Sequence, residues 1–278
     1  MTQAQEAIRH QVRRGWEQAS AWYAIDQPQV FQHFGDRLVE LLDLSPGQRV
    51  LDVGAGTGVV AVRAAERMGS HGQVIAVDFA RAMVSQIRAA TQGKGYHVLP
   101  AQMDAEALGL PDESFDLIAC AFSLFQFVDM TRALIELHRV LKPGGQVGLS
   151  NWGPDFFTPV ALMQRDLFRE YHLRPLLTNP ITFKHDQMRA LLEAAGLVEI
   201  RLLQEHVELC FERPKEIWDW NMAMGPFSIM LEQQLTPEQR RELEYRYIEM
   251  LKPLVTPKGI ACTFHPLYAL ARKLPRNS

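Results

Sequence analysis

A glycine-rich turn directly after a short apolar run is the feature that most constrains the fold of this chain. Residues 50–58 read VLDVGAGTG, and the apolar part is typical of a buried strand. Glycines at a strand end allow a sharp turn into a helix and a close approach of the backbone to a ligand. A dinucleotide-binding turn has the spacing G-x-G-x-x-G, whereas here the third glycine comes one residue early and Val59 takes its place. The spacing therefore disfavours a nicotinamide-dependent dehydrogenase.

Short apolar runs alternate with helix-length segments from residue 49 to residue 150. The five runs cover residues 49–53, 73–77, 97–102, 115–122 and 146–150. Each helical segment carries its polar residues on one narrow stripe, which predicts a parallel sheet with helices packed on both faces. Two later runs, 197–204 and 267–271, can complete the sheet. We therefore predict an α/β fold with a doubly wound, mostly parallel seven-stranded sheet, helices on both faces and a helical lid.

The chain has 278 residues, enough for one large domain with an inserted lid. Helical spacing from Ile8 to Tyr23, ended by Pro28, predicts an N-terminal helix. A capping box at Thr236 predicts a helix that continues to about Met250. Further helices are expected at residues 29–42, 158–171 and 185–195. The predicted parts of the single domain are a helical cap at 1–44, a sheet core at 45–206 and 263–272, a first lid segment at 153–183, and a helical lid insertion at 207–262.

Charge and composition exclude several classes of protein. Lys and Arg number 29 and Asp and Glu number 32, for a net charge of −3, which predicts no surface for nucleic acid or an anionic membrane. The first twenty residues lack a signal-peptide core, and the longest apolar stretch, residues 117–128, is too short for membrane insertion. The three cysteines are widely spaced, and no metal site is predicted. We expect a cytoplasmic protein that is a monomer or a homodimer.

Acidic residues end the two strands that follow the glycine turn. Asp78 and Asp104 lie where the carboxyl ends of parallel strands meet, and a carboxylate there can accept hydrogen bonds from a ribose diol. Phe79 and Met83 can form an apolar slot for a purine. Two plainer interpretations stay open, with Asp78 as a helix cap or solvated carboxylate and the two apolar side chains as core. The pattern indicates a nucleoside-shaped pocket.

Four segments resemble, in order and spacing, the class I S-adenosylmethionine-dependent methyltransferases, whose fold is Rossmann-like. They are VLDVGAGTG, AVDFARAMV, DAEALGLPDESFDLI and a stretch that ends RVLKPGG, all within residues 49–152. The resemblance is to the small-molecule branch that includes the ubiquinone and menaquinone biosynthesis enzymes. It implies S-adenosylmethionine as cofactor and S-adenosylhomocysteine as product, with Asp78 on the ribose and Asp104 with Ala105 on the adenine edge. The implied cofactor-binding residues are Gly54, Ala55, Gly56, Thr57, Asp78, Phe79, Met83, Asp104, Ala105 and Ala121.

The chain departs from this family at one point. After the fourth strand, where this branch often has a histidine, residues 123–127 read SLFQF. Gln126 can form hydrogen bonds but cannot serve as a general base near neutral pH. Methyl transfer from a sulfonium releases a neutral thioether, so alignment and exclusion of water can supply much of the acceleration, and no catalytic residue is assigned. For a harder acceptor the candidates are Asp155, His172, His185 and His206, each more simply read as a cap or a solvated group.

Large apolar side chains of the insertion predict the acceptor site. Residues 210–230 hold four aromatic residues and three methionines, which suit an apolar ligand, although most of them can equally pack the insertion onto the sheet. With these, the side chains of Trp16, Trp22, Tyr23, Phe156 and Phe157 would cover the carboxyl ends of the strands. The predicted substrate-binding residues are Gln126, Trp22, Asp155, Trp218 and Met222.

The leading functional prediction is methyl transfer from S-adenosylmethionine to an oxygen, nitrogen or carbon atom of a small, largely apolar or aromatic acceptor. Two alternatives stay open because a fold does not determine a reaction. One is a cyclase or lyase that binds the same cofactor and transfers no methyl group. The other is a non-catalytic protein that binds S-adenosylmethionine.

Overall fold

The computed structural model describes residues 3–23, 30–176 and 179–276. Within these ranges the chain forms a central sheet and a small second sheet. The strands are β1 (Arg49–Val53), β2 (Gln73–Asp78), β3 (Val98–Gln102), β4 (Phe115–Ala121), β5 (Leu141–Trp152), β6 (Leu197–Gln204), β7 (Val207–Phe211), β8 (Ile260–Phe264) and β9 (Pro266–Lys273). The helices are α1 (Gln3–Tyr23), α2 (Val30–Leu41), α3 (Val59–Met68), α4 (Arg81–Thr91), α5 (Met130–Val140), α6 (Val160–Glu170), α7 (His185–Ala194), α8 (Pro214–Ala223), α9 (Gly225–Gln234) and α10 (Pro237–Leu251).

The central sheet has seven strands in the order β3-β2-β1-β4-β5-β9-β6. Strands β1 to β5 pair in parallel, while β9 is antiparallel to both β5 and β6. The strand order reverses between β1 and β4, and ligands bind at the carboxyl ends of strands at such a point. The predicted doubly wound, mostly parallel seven-stranded sheet is confirmed.

The predicted helices are present with small shifts at their ends. The capping box of α10 is formed as expected, because the Thr236 amide donates to the Gln239 Oε1 at 2.9 Å and the Thr236 hydroxyl accepts from the Gln239 amide. Helix α10 ends at Leu251, one residue later than predicted. Pro28, the predicted stop of the first helix, lies outside the described residues.

Strand β5 begins earlier than the sequence predicted. It starts at Leu141, directly after α5, rather than near residue 146. Its partner register on β4 jumps from Leu141 opposite Phe115 to Gln146 opposite Leu117, so residues 142–145 form an irregularity within the strand. The proline and glycines of this segment therefore interrupt a strand, whereas the helix has already ended at Val140.

The sequence predicted a helical insertion at 207–262. The structure corrects this prediction, because the insertion also contains strands. Strands β7 and β8 stand at its two ends and pair antiparallel as a separate two-stranded sheet. Each is five residues long and alternates buried with more exposed side chains, which is the pattern of a half-buried strand. The predicted boundary at residue 262 lies inside β8, and α8, α9 and α10 fill the insertion between the two strands.

Apolar layers cover both faces of the central sheet. On one face, α2 and α3 bury side chains such as Leu38, Val60 and Ala64, and on the other α5 and α7 bury Leu137 and Leu192. Burial of this area stabilises the sheet and holds its carboxyl edge as one rigid rim. None of the described helices is long and apolar enough to cross a membrane.

Candidate functional site

The glycine turn between β1 and α3 adopts a conformation that glycine favours. Gly54 and Gly58 have φ angles of 67° and 94°. The amides of Gly54 and Ala55 donate to the Val77 carbonyl of β2 at 2.9 and 3.0 Å, which holds the turn against the next strand. A Cβ on Gly54 would lie 2.5 Å from the Ser123 side chain, whose hydroxyl donates to the Gly54 carbonyl. The turn therefore lies close against the loop after β4.

Asp78 at the end of β2 faces this turn. Its Oδ2 accepts a hydrogen bond from the Gly56 amide at 2.9 Å, and its Oδ1 accepts one from the Ala80 amide at 2.8 Å. Burial raises the pKa of Asp78 to about 6, and the two amides oppose that rise. Ala80 precedes the first residue of α4 and no side chain of the N-cap position bonds that helix, so the interpretation of Asp78 as a helix cap is wrong and the contact is a local turn. Each carboxylate oxygen can accept a further hydrogen bond, so this contact leaves capacity for a ligand hydroxyl.

Asp52, in β1, is a site residue that sequence reasoning missed. It is 1% exposed, and neither carboxylate oxygen accepts a well-formed hydrogen bond from the described residues. Burial raises the pKa of Asp52 to about 7, the nearby Ala61 amide opposes this rise, and the charge of Asp78 adds to it. The sequence signal was available, since Asp52 is the one charged residue within the apolar run of residues 50–53.

Helix α1 closes the β3 end of the site through charged side chains. Arg9 forms ion pairs with Asp104 and with Glu106, and its side chain is only 17% exposed. Glu106 is buried and also accepts hydrogen bonds from the Val128 and Asp129 amides at 2.8 and 3.1 Å. Asp104 was predicted to read an adenine edge. In the structure one of its oxygens already holds Arg9 and the other accepts from the Glu106 amide.

Two further contacts attach α1 to the same edge. The Arg13 guanidinium lies 5.5 Å from the ring centroid of Phe79, and the Glu17 carboxylate accepts from the first amides of α4, those of Arg81 and Ala82, at 2.6 and 2.8 Å. Arg9, Arg13 and Glu17 recur every four residues and so lie on one face of α1. None of the three was predicted, because their partners are 64 to 97 residues away along the chain.

A variant with Arg9→Met is expected to loosen α1. Removing the guanidinium leaves the buried Glu106 and Asp104 carboxylates without their cation, at a cost of about 2 kcal/mol, below the usual range for buried pairs because Asp104 is partly exposed. Hydrogen–deuterium exchange in α1 should therefore become faster by roughly 30-fold, while exchange in β1 and β4 stays unchanged. Arg67→Met, which removes one hydrogen bond between α3 and the Val39 carbonyl, is the control. Unchanged α1 exchange in Arg9→Met would contradict the assigned contact.

One continuous cavity of about 760 Å³ joins these features. All ten residues implied as cofactor-binding line it, as does Gln126. The cavity extends beyond Ala121 and Gln126 to an apolar end under α6, α8 and α9. Aromatic side chains of that end form what we call the aromatic roof: Trp16, Tyr23, Phe31, Phe122, Trp152, Phe156, Phe157 and Trp220.

The aromatic roof is tightly packed. The rings of Phe122 and Trp152 have centroids 4.1 Å apart, Trp152 stacks on Phe156 at 5.3 Å, and Phe157 lies 4.8 Å from Trp220. Because α1, α2, the segment after β5 and α8 all contribute rings, distant parts of the chain form one wall. Such a wall keeps water from the cavity.

Several predicted substrate residues do not line the cavity that the described residues form. Trp218 and Met222 lie four residues apart on another face of α8, and Trp218 packs on Tyr247 at 5.2 Å. Trp220 of the same helix and Met224, which directly follows it, line the cavity instead. Asp155 is exposed in a turn with φ 62°, and the side chain of Trp22 is outside the part of the chain that is described.

The histidines considered for a harder acceptor are also outside the lining. His172, His185 and His206 are exposed, and His206 packs edge to face on His265 at 4.5 Å. The exposure of these three side chains therefore supports their interpretation as caps or solvated groups. Among the described residues, no group of three or more His, Cys, Asp or Glu side chains is placed to hold a metal ion.

Gln126 occupies the position after β4 where the resembled branch often has histidine. It lies in a short 3₁₀ turn, Leu124–Gln126, and its Oε1 is buried without a partner among the described residues. The side-chain Nδ2 of Asn179 donates to the backbone carbonyls of Phe125 and Phe127 at 3.2 and 2.6 Å and so stabilises this turn. The unpartnered oxygen of Gln126 can accept a hydrogen bond from a ligand.

Comparison with known proteins agrees with this geometry. Residues 50–145 match a family model described as a methyltransferase domain. The chain is 27% identical over 272 residues to the nocamycin O-methyltransferase of Saccharothrix syringae, covering 88% of this chain and 92% of that protein. It is 35% identical over 161 residues to the ubiquinone/menaquinone biosynthesis C-methyltransferase UbiE of Teredinibacter turnerae, covering 56% of this chain and 63% of that relative's length. The YcgJ protein of Bacillus subtilis shares the fold with a TM-score of 0.61 at 22% identity, over 87% of this chain and 99% of that one.

Proposed function

Because this chain belongs to the class I S-adenosylmethionine-dependent methyltransferases, we propose that its cavity binds the methyl donor at the glycine turn and a small acceptor under the aromatic roof. The observation that carries this proposal is the continuity of the cavity, which joins the ten cofactor residues to an apolar end lined by the roof. The acceptor is small and largely apolar or aromatic, as in secondary metabolism. The O-methyltransferase relative supports an oxygen acceptor, whereas the C-methyltransferase relative supports carbon.

The residues present fit S-adenosylmethionine. The buried Asp52 carboxylate lacks a partner among the described residues, and a cationic ligand group such as an ammonium would supply one. Asp78 has capacity for the ribose diol, and Phe79 with Met83 offers apolar surface to the purine. When bound, S-adenosylmethionine supplies an electrophilic methyl group.

The chain's own groups bind, orient and exclude water. Glycines at the turn let the backbone approach the donor, and the rings of Phe122, Trp152 and Phe156 keep the reacting end dry. Gln126 Oε1 can accept a hydrogen bond from the acceptor and hold it in line. We assign no general base, so the acceptor is one whose nucleophilic atom is already activated, such as an acidic phenol, an enol or a free amine.

Incubation with S-adenosylmethionine that carries a labelled methyl group tests the proposal. A panel of phenols, amines and natural-product scaffolds should include at least one compound that acquires the label. Product that forms without label would instead support the cyclase or lyase alternative. Failure of the protein to bind S-adenosylmethionine or S-adenosylhomocysteine in calorimetric titration would refute the assigned site.

A further inference from the structure

Three polar side chains form a hydrogen-bonded chain at the apolar end of the cavity. Gln164 lies on α6, Asn221 on α8 and Tyr247 on α10. The Asn221 Nδ2 donates to the Tyr247 hydroxyl at 2.8 Å, and that hydroxyl donates to the Gln164 Oε1 at 2.8 Å. Tyr247 is fully buried, and burial raises its pKa well above its ordinary value, so the hydroxyl keeps its proton.

The Ile217 carbonyl sets the direction of this chain. A carbonyl only accepts, so the Asn221 group that lies 3.1 Å from it must be the amide nitrogen. The Tyr247 oxygen accepts from the same nitrogen, so its single proton goes to the oxygen of Gln164. Both amide groups are thereby held with one end turned toward Tyr247 and the other end turned away from it.

The ends that are turned away are the Asn221 Oδ1 and the Gln164 Nε2. Neither forms a hydrogen bond with another described residue, and neither belongs to the fully enclosed polar atoms without a partner. Both residues line the cavity, and their amides meet at 3.2 Å between the Asn221 Nδ2 and the Gln164 Oε1. The apolar end of the cavity therefore offers one acceptor and one donor on neighbouring side chains.

No charged group belongs to this pair. Arg165 and Arg169 also line the cavity, but their side chains are 54% and 70% exposed and lie 3.3 and 3.4 Å from Asp166. Their charge is therefore at the solvent-facing mouth. An anionic ligand group beside the Asn221 Oδ1 would meet an oxygen without compensation, and a purely apolar group would leave both amides unsatisfied.

We propose that Asn221 and Gln164 determine acceptor specificity by reading an uncharged group that has a hydrogen-bond acceptor and donor side by side. A primary amide and a lactam share this chemistry, because each presents a carbonyl oxygen beside an N–H. The ligand oxygen accepts from the Gln164 Nε2, and the ligand N–H donates to the Asn221 Oδ1. This inference rests on the proposed function, since it concerns the acceptor end of the same cavity.

Binding of three probes of similar shape to the protein saturated with S-adenosylhomocysteine tests the inference. The probes are 1-naphthamide, with donor and acceptor, 1-acetylnaphthalene, with the acceptor only, and 1-naphthoate, with a charge. We expect 1-naphthamide to bind roughly 10-fold more tightly than either of the others. Equal affinities, or tightest binding of 1-naphthoate, would overturn the inference. Saturation with S-adenosylhomocysteine is measured first, so its failure counts against the proposed function alone.

Variants identify the residues that are responsible. Gln164→Met keeps the length of the side chain and removes the donor, and Tyr247→Phe keeps the buried ring and removes the hydroxyl that orients Gln164. Both should weaken 1-naphthamide and 1-acetylnaphthalene by a similar factor, because both probes present the oxygen that accepts from the Gln164 Nε2. Asn221→Leu removes the acceptor for the N–H of 1-naphthamide and should bring the affinity for 1-naphthamide to that of 1-acetylnaphthalene. Met224→Ala, an apolar lining residue, should weaken all three probes by a similar factor. Full selectivity for 1-naphthamide in Asn221→Leu, or unchanged affinities in Gln164→Met and in Tyr247→Phe, with all three variants folded by their thermal melting curves, would refute the assignment.

Discussion

Replacement of Asp78 by alanine is expected to weaken S-adenosylmethionine binding by about 2–3 kcal/mol, or roughly 30- to 150-fold in affinity. The carboxylate is the group we assign to the ribose diol, and it also holds the Gly56 and Ala80 amides at 2.9 and 2.8 Å. Its loss leaves the ligand hydroxyls and both amides without their acceptor. Calorimetric titration of the purified protein measures the effect.

The matched control is Asp129→Ala. Asp129, like Asp78, precedes a helix and accepts from a backbone amide, that of Arg132 at 2.9 Å, but it is not among the described residues that line the cavity. Its removal should cost about 1 kcal/mol of stability and leave the affinity for S-adenosylmethionine unchanged. Wild-type affinity in Asp78→Ala, or an equal loss in both variants, would show that Asp78 acts only by holding the Gly56 and Ala80 amides.

Asp52→Asn is expected to stabilise the ligand-free protein at pH 8 and to weaken donor binding. The pKa of Asp52 is about 7 in the folded chain against 3.8 as its ordinary value. Between these two values the folded state holds more protons than the unfolded state. The free energy of unfolding therefore falls as the pH rises from about 4 to 7, by at most about 4 kcal/mol, and stays low above that. Asparagine carries no ionisable group, so the variant lacks this loss.

Urea unfolding at pH 4.5 and pH 8 separates the two contributions. Wild type and Asp52→Asn should differ little at pH 4.5, where the folded carboxyl is protonated, whereas at pH 8 the variant should be more stable by on the order of 2 kcal/mol. Asp186→Asn, at an exposed position in the first turn of α7, should show no such pH-dependent gain. A variant less stable than wild type at pH 8 would mean that Asp52 is not buried as an unpartnered charge.

The same variant tests what the buried carboxylate binds. An ionised Asp52 paired with a ligand cation is worth several kcal/mol in a buried site, so Asp52→Asn should lose at least roughly 10-fold in affinity for S-adenosylmethionine at pH 8. Binding to wild type should release a proton near pH 7, because a bound cation lowers the raised pKa of Asp52. Titration in buffers of different ionisation enthalpy detects this release. Unchanged affinity in the variant would place the cation elsewhere.

Local signals predicted that the glycine turn and the acidic strand ends converge on one cavity. The glycines of residues 54–58 and Asp78 are separated by one strand and one helix, and the carboxyl ends of adjacent parallel strands must meet. The sequence by itself therefore specified which of these residues converge. Asp52 was missed although it is an acidic residue within an apolar run. Such a residue does not indicate by itself whether its carboxylate faces a ligand.

The apolar end of the cavity was harder to predict, because its lining depends on which face each neighbouring helix turns toward it. Helix α8 is apolar nearly all round, burying Ile217, Trp218 and Trp220 alike, so its pattern does not indicate which face meets the cavity. The sequence predicted Trp218 and Met222 as substrate-binding residues, whereas the structure places Trp220 and Met224 at the cavity. The contacts of α1 could not be predicted from the sequence either, since the partners of Arg9 are 95 and 97 residues away along the chain.

The sequence by itself determined the glycine turn after the first strand, the acidic residues at the ends of the next strands, and the resemblance to the methyltransferase family. These features arise from residues that are close along the chain or lie in neighbouring strands. Only the tertiary structure decided that α1 ion-pairs with Asp104, which side of α8 faces the cavity, and that Gln164, Asn221 and Tyr247 form one oriented chain. These contacts join separate helices, and the angle at which two helices pack depends on all the side chains between them rather than on any local pattern.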